Sequence, residues 1–117
     1  MPQYRLVVAT DAIEGREAEY NDWHTNQHLP DTLRVPGFVS GQRFKLRSTV
    51  MGELRNRYLT IYTMETDDPE QVFELTKRLS GTDAMPFSDA LDLGGTNIGI
   101  FEILSEEMFS CAGNGSD

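Results

Sequence analysis

The chain has one cysteine, Cys111, in 117 residues. An internal disulfide is therefore excluded, the fold has to rest on packing, and a reducing compartment, the cytoplasm, is the expected location. No apolar run approaches the roughly 20 residues that cross a bilayer. The N-terminus lacks the charged-then-apolar order of a signal peptide, so no membrane partner is expected. Cations are scarce: 10 Lys and Arg stand against 19 Asp and Glu, for a net charge of −9. That balance argues against nucleic acid as a partner, because phosphate binding needs clustered positive charge. There is no glycine-rich phosphate loop, no Gly-x-Ser-x-Gly elbow, no dinucleotide fingerprint and no His-Glu-x-x-His pair. No cofactor and no metal are expected on that ground.

Histidine is scarce as well, and its placement is the most informative positive feature. The only two, His24 and His28, lie four residues apart in the run Tyr20-Asn21-Asp22-Trp23-His24-Thr25-Asn26-Gln27-His28-Leu29-Pro30. On a helix that spacing puts both imidazoles on one face, about 6 Å apart at Cβ. The same face carries Tyr20, with the only tryptophan, Trp23, beside it. Imidazole is the side chain suited to proton transfer near pH 7, so the pattern points to a site. Four-residue spacing also suits metal ligation, but zinc needs a third protein ligand, which Asp31, Asp83, Asp89 or Asp92 would supply only through tertiary proximity.

Along the chain, Tyr4 to Thr10 reads as a first strand. Asp11 with Glu14 three positions on forms a capping-box-like start, and a helix is expected from there to about Leu29, ended by Pro36-Gly37. Phe38 to Leu46 and Arg57 to Glu65 read as the second and third strands. Asp67-Asp68-Pro69-Glu70 opens a second helix with Val72, Phe73, Leu75, Thr76 and Leu79 as its buried stripe. Gly81 to Gly95 is a long irregular stretch, either a lid over a pocket or an arm contacting a second subunit. Asn97 to Leu104 is the fourth strand. One domain, residues 1–109, is expected, followed by a flexible tail, 110–117. The basic residues Arg43, Lys45, Arg47, Arg55 and Arg57 flank a turn; they read as a solvated hairpin end or as a local anion-attracting patch.

The order β-α-β-β-α-β is the split arrangement of ferredoxin-like α+β folds, with a four-stranded antiparallel sheet and helices on one face. The set Tyr58, Thr60, Tyr62 and Met64, with Asn97, Gly99, Phe101 and Ile103, reads as a second sheet face too aromatic for water. A second copy of the chain packed sheet against sheet would cover it.

The strand order, the histidine helix and the run Trp-His-x3-His-Leu-Pro-x5-Pro-Gly-Phe together resemble the dimeric α/β-barrel superfamily, in its EthD-like and related uncharacterised branch. The resemblance covers about residues 3 to 106, and its specific motif about Tyr20 to Phe44. It implies a homodimer with a small-molecule pocket between the first helix and the sheet of each subunit. His28 matches the histidine that this branch carries before Leu-Pro. Similar sequences often place an acidic residue just before it, where this chain has Gln27. Members include cofactor-independent monooxygenases, isomerases, polyketide cyclases, dehydrating enzymes and haem-handling proteins, so the fold does not choose the reaction.

The expected function is that of a cofactor-independent lyase, isomerase or cyclase acting on a small aromatic or polyketide-like compound. His28 would transfer the proton and His24 assist; His28 can also be read as a helix-end cap and His24 as packing. Tyr20, Trp23, Arg43, Tyr62 and Phe87 are the expected substrate-binding residues. Arg43 or Tyr62 could stabilise an oxyanion, although an Arg43 ion pair with Asp31 or Glu17 and packing of the tyrosines explain them equally. The alternatives are a non-enzymatic small-ligand or haem binder, in which an imidazole acts as axial ligand, and a cofactor-independent monooxygenase.

Overall fold

A computed structural model describes residues 1–111 of the chain. Of the expected tail, residues 112–117 lie outside the described residues.

Strand β1, Gln3–Thr10, sits in the interior of a four-stranded antiparallel sheet, paired with β3, Tyr58–Glu65, on one side and with β4, Asn97–Glu102, on the other. Strand β2, Phe38–Lys45, lies outside β3, so the order is β2-β3-β1-β4. That is the ferredoxin-like arrangement, and its helices cover one face. The alternation along β3 decides which face: Tyr58, Thr60, Tyr62 and Met64 are buried, while Leu59, Ile61 and Thr63 are half-buried. The register aligns Leu6 with Tyr62 and Ile100, and these residues point towards the helices.

The two strand sets expected on one face are therefore not on one face. Tyr58, Thr60, Tyr62 and Met64 face the helices, whereas Gly99 and Phe101 share the opposite face with Val7, Ala9, Leu59, Ile61 and Phe44. Side-chain alternation has a period of two, so pairing register alone determines which alternate set on β4 matches which on β3. The uncovered face stays apolar, with Phe44 and Phe101 43% and 57% exposed.

The first helix begins later than expected. Asp11 does not cap it. Its carboxylate accepts from the backbone N–H of Arg57 and from Asn56 Nδ2, tying the end of β1 to the start of β3. Residues 12–16 form a turn with Gly15 at φ 82°, a conformation that glycine reaches without a Cβ clash. Helix α1 then runs Glu17–Trp23, continues through a π-helical turn, His24–His28, and ends as α2, Leu29–Leu33. Within the wide turn the Leu29 N–H reaches back five residues to His24 O. A proline in a regular helix clashes with the carbonyl four residues earlier. The widened turn immediately ahead of Pro30 gives its ring room, and the helix passes the proline rather than stopping before it.

Helix α3, Pro69–Leu79, starts as its sequence predicts: Asp68 Oδ1 accepts from Gln71 N, and Pro69 occupies the first turn. Val72 and Thr76 bury its inner stripe. The main core gathers Leu6, Val35, Tyr62, Met64, Val72 and Met85, and each large apolar member is worth about 1.5–3 kcal/mol against full exposure. No helix among the described residues is long and apolar enough to cross a membrane.

Candidate functional site

The π-helical turn, the helix-facing side of the sheet, α3 and the 81–95 segment enclose a cavity of about 390 Å³. That volume lies within the range of small-molecule sites. His24 and His28 both line it, with Trp23, Tyr62 and Phe87. Three of the five expected substrate-binding residues thus meet both histidines around one space.

The helix face predicted from spacing is realised as a continuous aromatic stack. The Tyr20 and His24 rings are 5.5 Å apart, His24 and His28 are 5.2 Å apart, and Trp23 stacks on His28 at 4.8 Å. Phe87 approaches edge-on to both Trp23, at 5.4 Å, and His28, at 5.8 Å.

His24 is 2% exposed, and protein groups meet both its ring nitrogens. Nδ1 lies 3.2 Å from Tyr20 Oη, and Thr60 Oγ1 lies 3.5 Å from Nε2. Tyr20 Oη in turn makes a short hydrogen bond with Thr10 Oγ1. His24 is therefore fixed in orientation by a chain of hydroxyls. His28 differs: its Nδ1 is buried and has no hydrogen-bond partner. A buried polar atom without a partner costs about 1–3 kcal/mol.

Burial holds both imidazoles in the neutral form. The pKa of His24 is lowered from 6.5 to about 3, chiefly by desolvation, with the Arg43 and His28 charges adding to it. That of His28 falls to about 4 through desolvation, opposed by nearby Asp31. Desolvation also raises the Tyr62 phenol to about 12, so it is a donor at neutral pH.

Tyr20 and Arg43 do not line the cavity. Tyr20 is fully buried behind His24. The Arg43 guanidinium donates to Thr25 Oγ1 at 2.9 Å and to Asn21 Oδ1 at 3.0 Å, and lies 5.2 Å above the Tyr20 ring and 5.6 Å above Tyr58. It pairs with neither Asp31 nor Glu17. Asp31 instead pairs with Arg34 and accepts from Gln27.

Sequence reasoning did not find the α3 side of the cavity: Phe73, Thr76 and Lys77 contribute to its wall. The detectable signal was that Phe73, Thr76, Lys77 and Ser80 recur at helical spacing. Lys77 is the sole charged side chain in the lining, and no Asp or Glu is present there. Among the described residues, no group of three or more His, Cys, Asp or Glu is placed to hold a metal ion.

The 81–95 segment packs on its own chain. Met85 is buried in the core, and Phe87, Leu91 and Leu93 face the cavity. Trp23 Nε1 donates to Pro86 O at 3.1 Å, Ile13 N to Ala90 O at 2.7 Å, and Asp92 N to Asp11 O at 2.9 Å, while Arg16 pairs with Asp89.

No family model matches the chain, and no curated protein matches it in sequence. Solved structures do. An ethyl tert-butyl ether D (EthD) family protein from Bacillus halodurans C-125 is 22% identical, with a TM-score of 0.59 over 91% of this chain and 99% of that one. MhuD, a heme degrader from Mycobacterium tuberculosis solved with two hemes in its active site, is 19% identical, with a TM-score of 0.59 over 90% of this chain and 99% of that one. A Shewanella loihica PV-4 protein provisionally assigned as a monooxygenase is 13% identical, with a TM-score of 0.56 over 89% of this chain and 96% of that one. The chain shares the ferredoxin-like fold of these solved structures.

Proposed function

We propose that the cavity binds a flat, largely apolar small molecule, haem and related aromatic compounds included, and presents it to the neutral imidazole of His28. The observation that carries this reading is the place of His28 in the wall of an apolar cavity that no carboxylate lines. A general base works best with a pKa near the operating pH. An imidazole held near 4 is a weak base at pH 7, but binding a metal-centred ligand needs that neutral form. Ligand binding or oxygenation is therefore better supported than the lyase, isomerase or cyclase chemistry expected from sequence. The likeness to a heme degrader and to a provisionally assigned monooxygenase points the same way.

The residues present fit a haem. His28 would hold its iron, Trp23 and Phe87 would supply apolar contact, and Lys77 would meet a carboxylate of the group. Haem, once bound, supplies an iron for dioxygen chemistry; the protein's part is to hold it in a water-poor space. We further infer that two copies pair through the open apolar sheet face to form a homodimer.

Hemin titration tests the first reading. A saturable Soret band, lost in His28→Ala and retained in Lys77→Ala with weaker binding, is expected. The same band in His28→Ala, or no spectral change at tens of micromolar hemin, refutes haem ligation. A cofactor-independent monooxygenase would instead show oxygen consumption with electron-rich phenols and no added metal.

A further inference from the structure

A second hollow, of about 410 Å³, lies at the opposite side of the sheet, where β2 and β3 meet the 46–57 connection. Its floor is apolar, with Ala9, Phe44, Leu59 and Ile61 among the residues that face away from the helices. Four of the chain's ten cationic side chains line it, Lys45, Arg47, Arg55 and Arg57, and no Asp or Glu does. The ion pairs among the described residues are Arg16–Glu19, Arg16–Asp89 and Arg34–Asp31, so none of these four cations has a carboxylate partner. In a chain of net charge −9, so concentrated a positive patch calls for an anionic occupant.

The chain itself carries a segment of complementary chemistry. After β4, residues 103–109 read Ile-Leu-Ser-Glu-Glu-Met-Phe, and every one is exposed. Leu104 is 97%, Met108 82% and Phe109 67% exposed, so three large apolar side chains lie in water on either side of Glu106 and Glu107. The segment leaves the sheet at the end where Glu102 aligns with Tyr4. The hollow lies at the other end, where Ala9 aligns with Leu59 and Tyr58 with Lys45. The two ends are separated by about six residues of strand, roughly 20 Å. If two copies meet face to face about a two-fold axis running across the strands, their strand directions reverse. The 103–109 segment of each is then carried to the end of the sheet that holds the other's hollow, two to three strand spacings to its side in the order β2-β3-β1-β4, about 10–14 Å, which seven extended residues can span.

We propose that residues 103–109 of one copy seat in the hollow of a second copy, Glu106 and Glu107 meeting the Arg47 and Arg55 cluster while Met108 and Phe109 cover its apolar floor. This rests on the homodimer reading above and specifies how that dimer is fastened. Each protomer contributes one arm and one socket, which makes the contact reciprocal.

Charge reversal with mixing is the test, run on the full chain by sedimentation equilibrium. Arg47→Glu/Arg55→Glu reverses the socket, and Glu106→Lys/Glu107→Lys reverses the arm; all four positions are exposed, and circular dichroism checks folding. Each double variant alone is expected to self-associate about tenfold more weakly or worse, because like charges then face each other twice per dimer. An equimolar mixture is expected to recover the natural affinity as a heterodimer, since both arm and socket pairs are then oppositely charged. A mixture no tighter than its components overturns the proposal, as it would if the arm folded back on its own subunit or the hollow bound a small anion. So does either variant associating as tightly as the natural chain. A natural chain that stays monomeric at tens of micromolar overturns the dimer reading itself, which separates the two failures.

Discussion

Lowering the pH from 7 to 5 should destabilise this protein by an amount that its two histidines set. Both are neutral in the folded state, with pKa values of about 3 for His24 and about 4 for His28, against an ordinary value of 6.5. The folded values are the lower ones, so between pH 6.5 and about 4 the unfolded chain binds more protons than the folded one. Stability is complete above pH 6.5 and is lost as the pH falls through that window. At pH 5 the unfolded imidazoles are almost fully protonated and the folded ones almost fully neutral. At 1.36 kcal/mol per pH unit over about 1.4 effective units, each histidine contributes roughly 2 kcal/mol, about 4 kcal/mol together. That is a large part of the 5–15 kcal/mol typical of a small domain. Urea denaturation at the two pH values, in the natural chain and in His24→Gln and His28→Gln variants, measures it. With m near 2 kcal/mol/M the midpoint of the natural chain should fall by about 2 M, and that of each variant by about 1 M. Carboxylates titrate mostly below pH 5 and contribute equally in all three proteins. Equal pH dependence in the natural chain and both variants would refute the claim that burial keeps these imidazoles neutral.

Two further outcomes follow from the packing. A Cβ added at Gly41 would lie 2.8 Å from Tyr62 Cδ1, in the cavity wall, and 3.0 Å from Leu29 Cδ1, which packs against the core. Gly41→Ala should therefore cost about 1–3 kcal/mol and lower the melting temperature by several degrees; an unchanged melting temperature would show that Tyr62 moves freely. Trp23→Phe keeps an aromatic ring on His28 but removes the donor to Pro86 O. Amide exchange over residues 84–92 should speed up by about fivefold or more while β1 and β3 hold steady, and equal exchange would mean that the other tethers suffice to keep the segment closed.

Local signals read well where one short-range interaction decides the outcome. Asp68 followed by Pro69 starts α3 as expected, because the capping bond and the fixed φ of proline act within one turn. Asp11 carried the same signal and was claimed by Arg57 and Asn56, residues 46 and 45 positions away, because β1 and β3 bring them together. The stack Tyr20, His24 and His28 was legible from spacing, since one-face proximity on a helix depends only on its period. The π-helical turn was not, because the wider hydrogen-bond pattern yields only a slightly different geometry around Pro30 and leaves no composition signal.

The sequence by itself determined the order of strands and helices, the shared helix face of the two histidines and the acidity that argues against nucleic acid. Those properties follow from local periodicity, capping and summed charge. Only the tertiary structure decided that Arg43 turns to Asn21, Thr25 and the tyrosine rings, and that Lys77 enters the cavity wall from α3. It also decided that His24 is tied down while His28 Nδ1 is left without a partner. Register and helix-to-sheet packing choose among residues far apart in the chain, and desolvation, which sets the protonation of both imidazoles, exists only once those residues have closed around them.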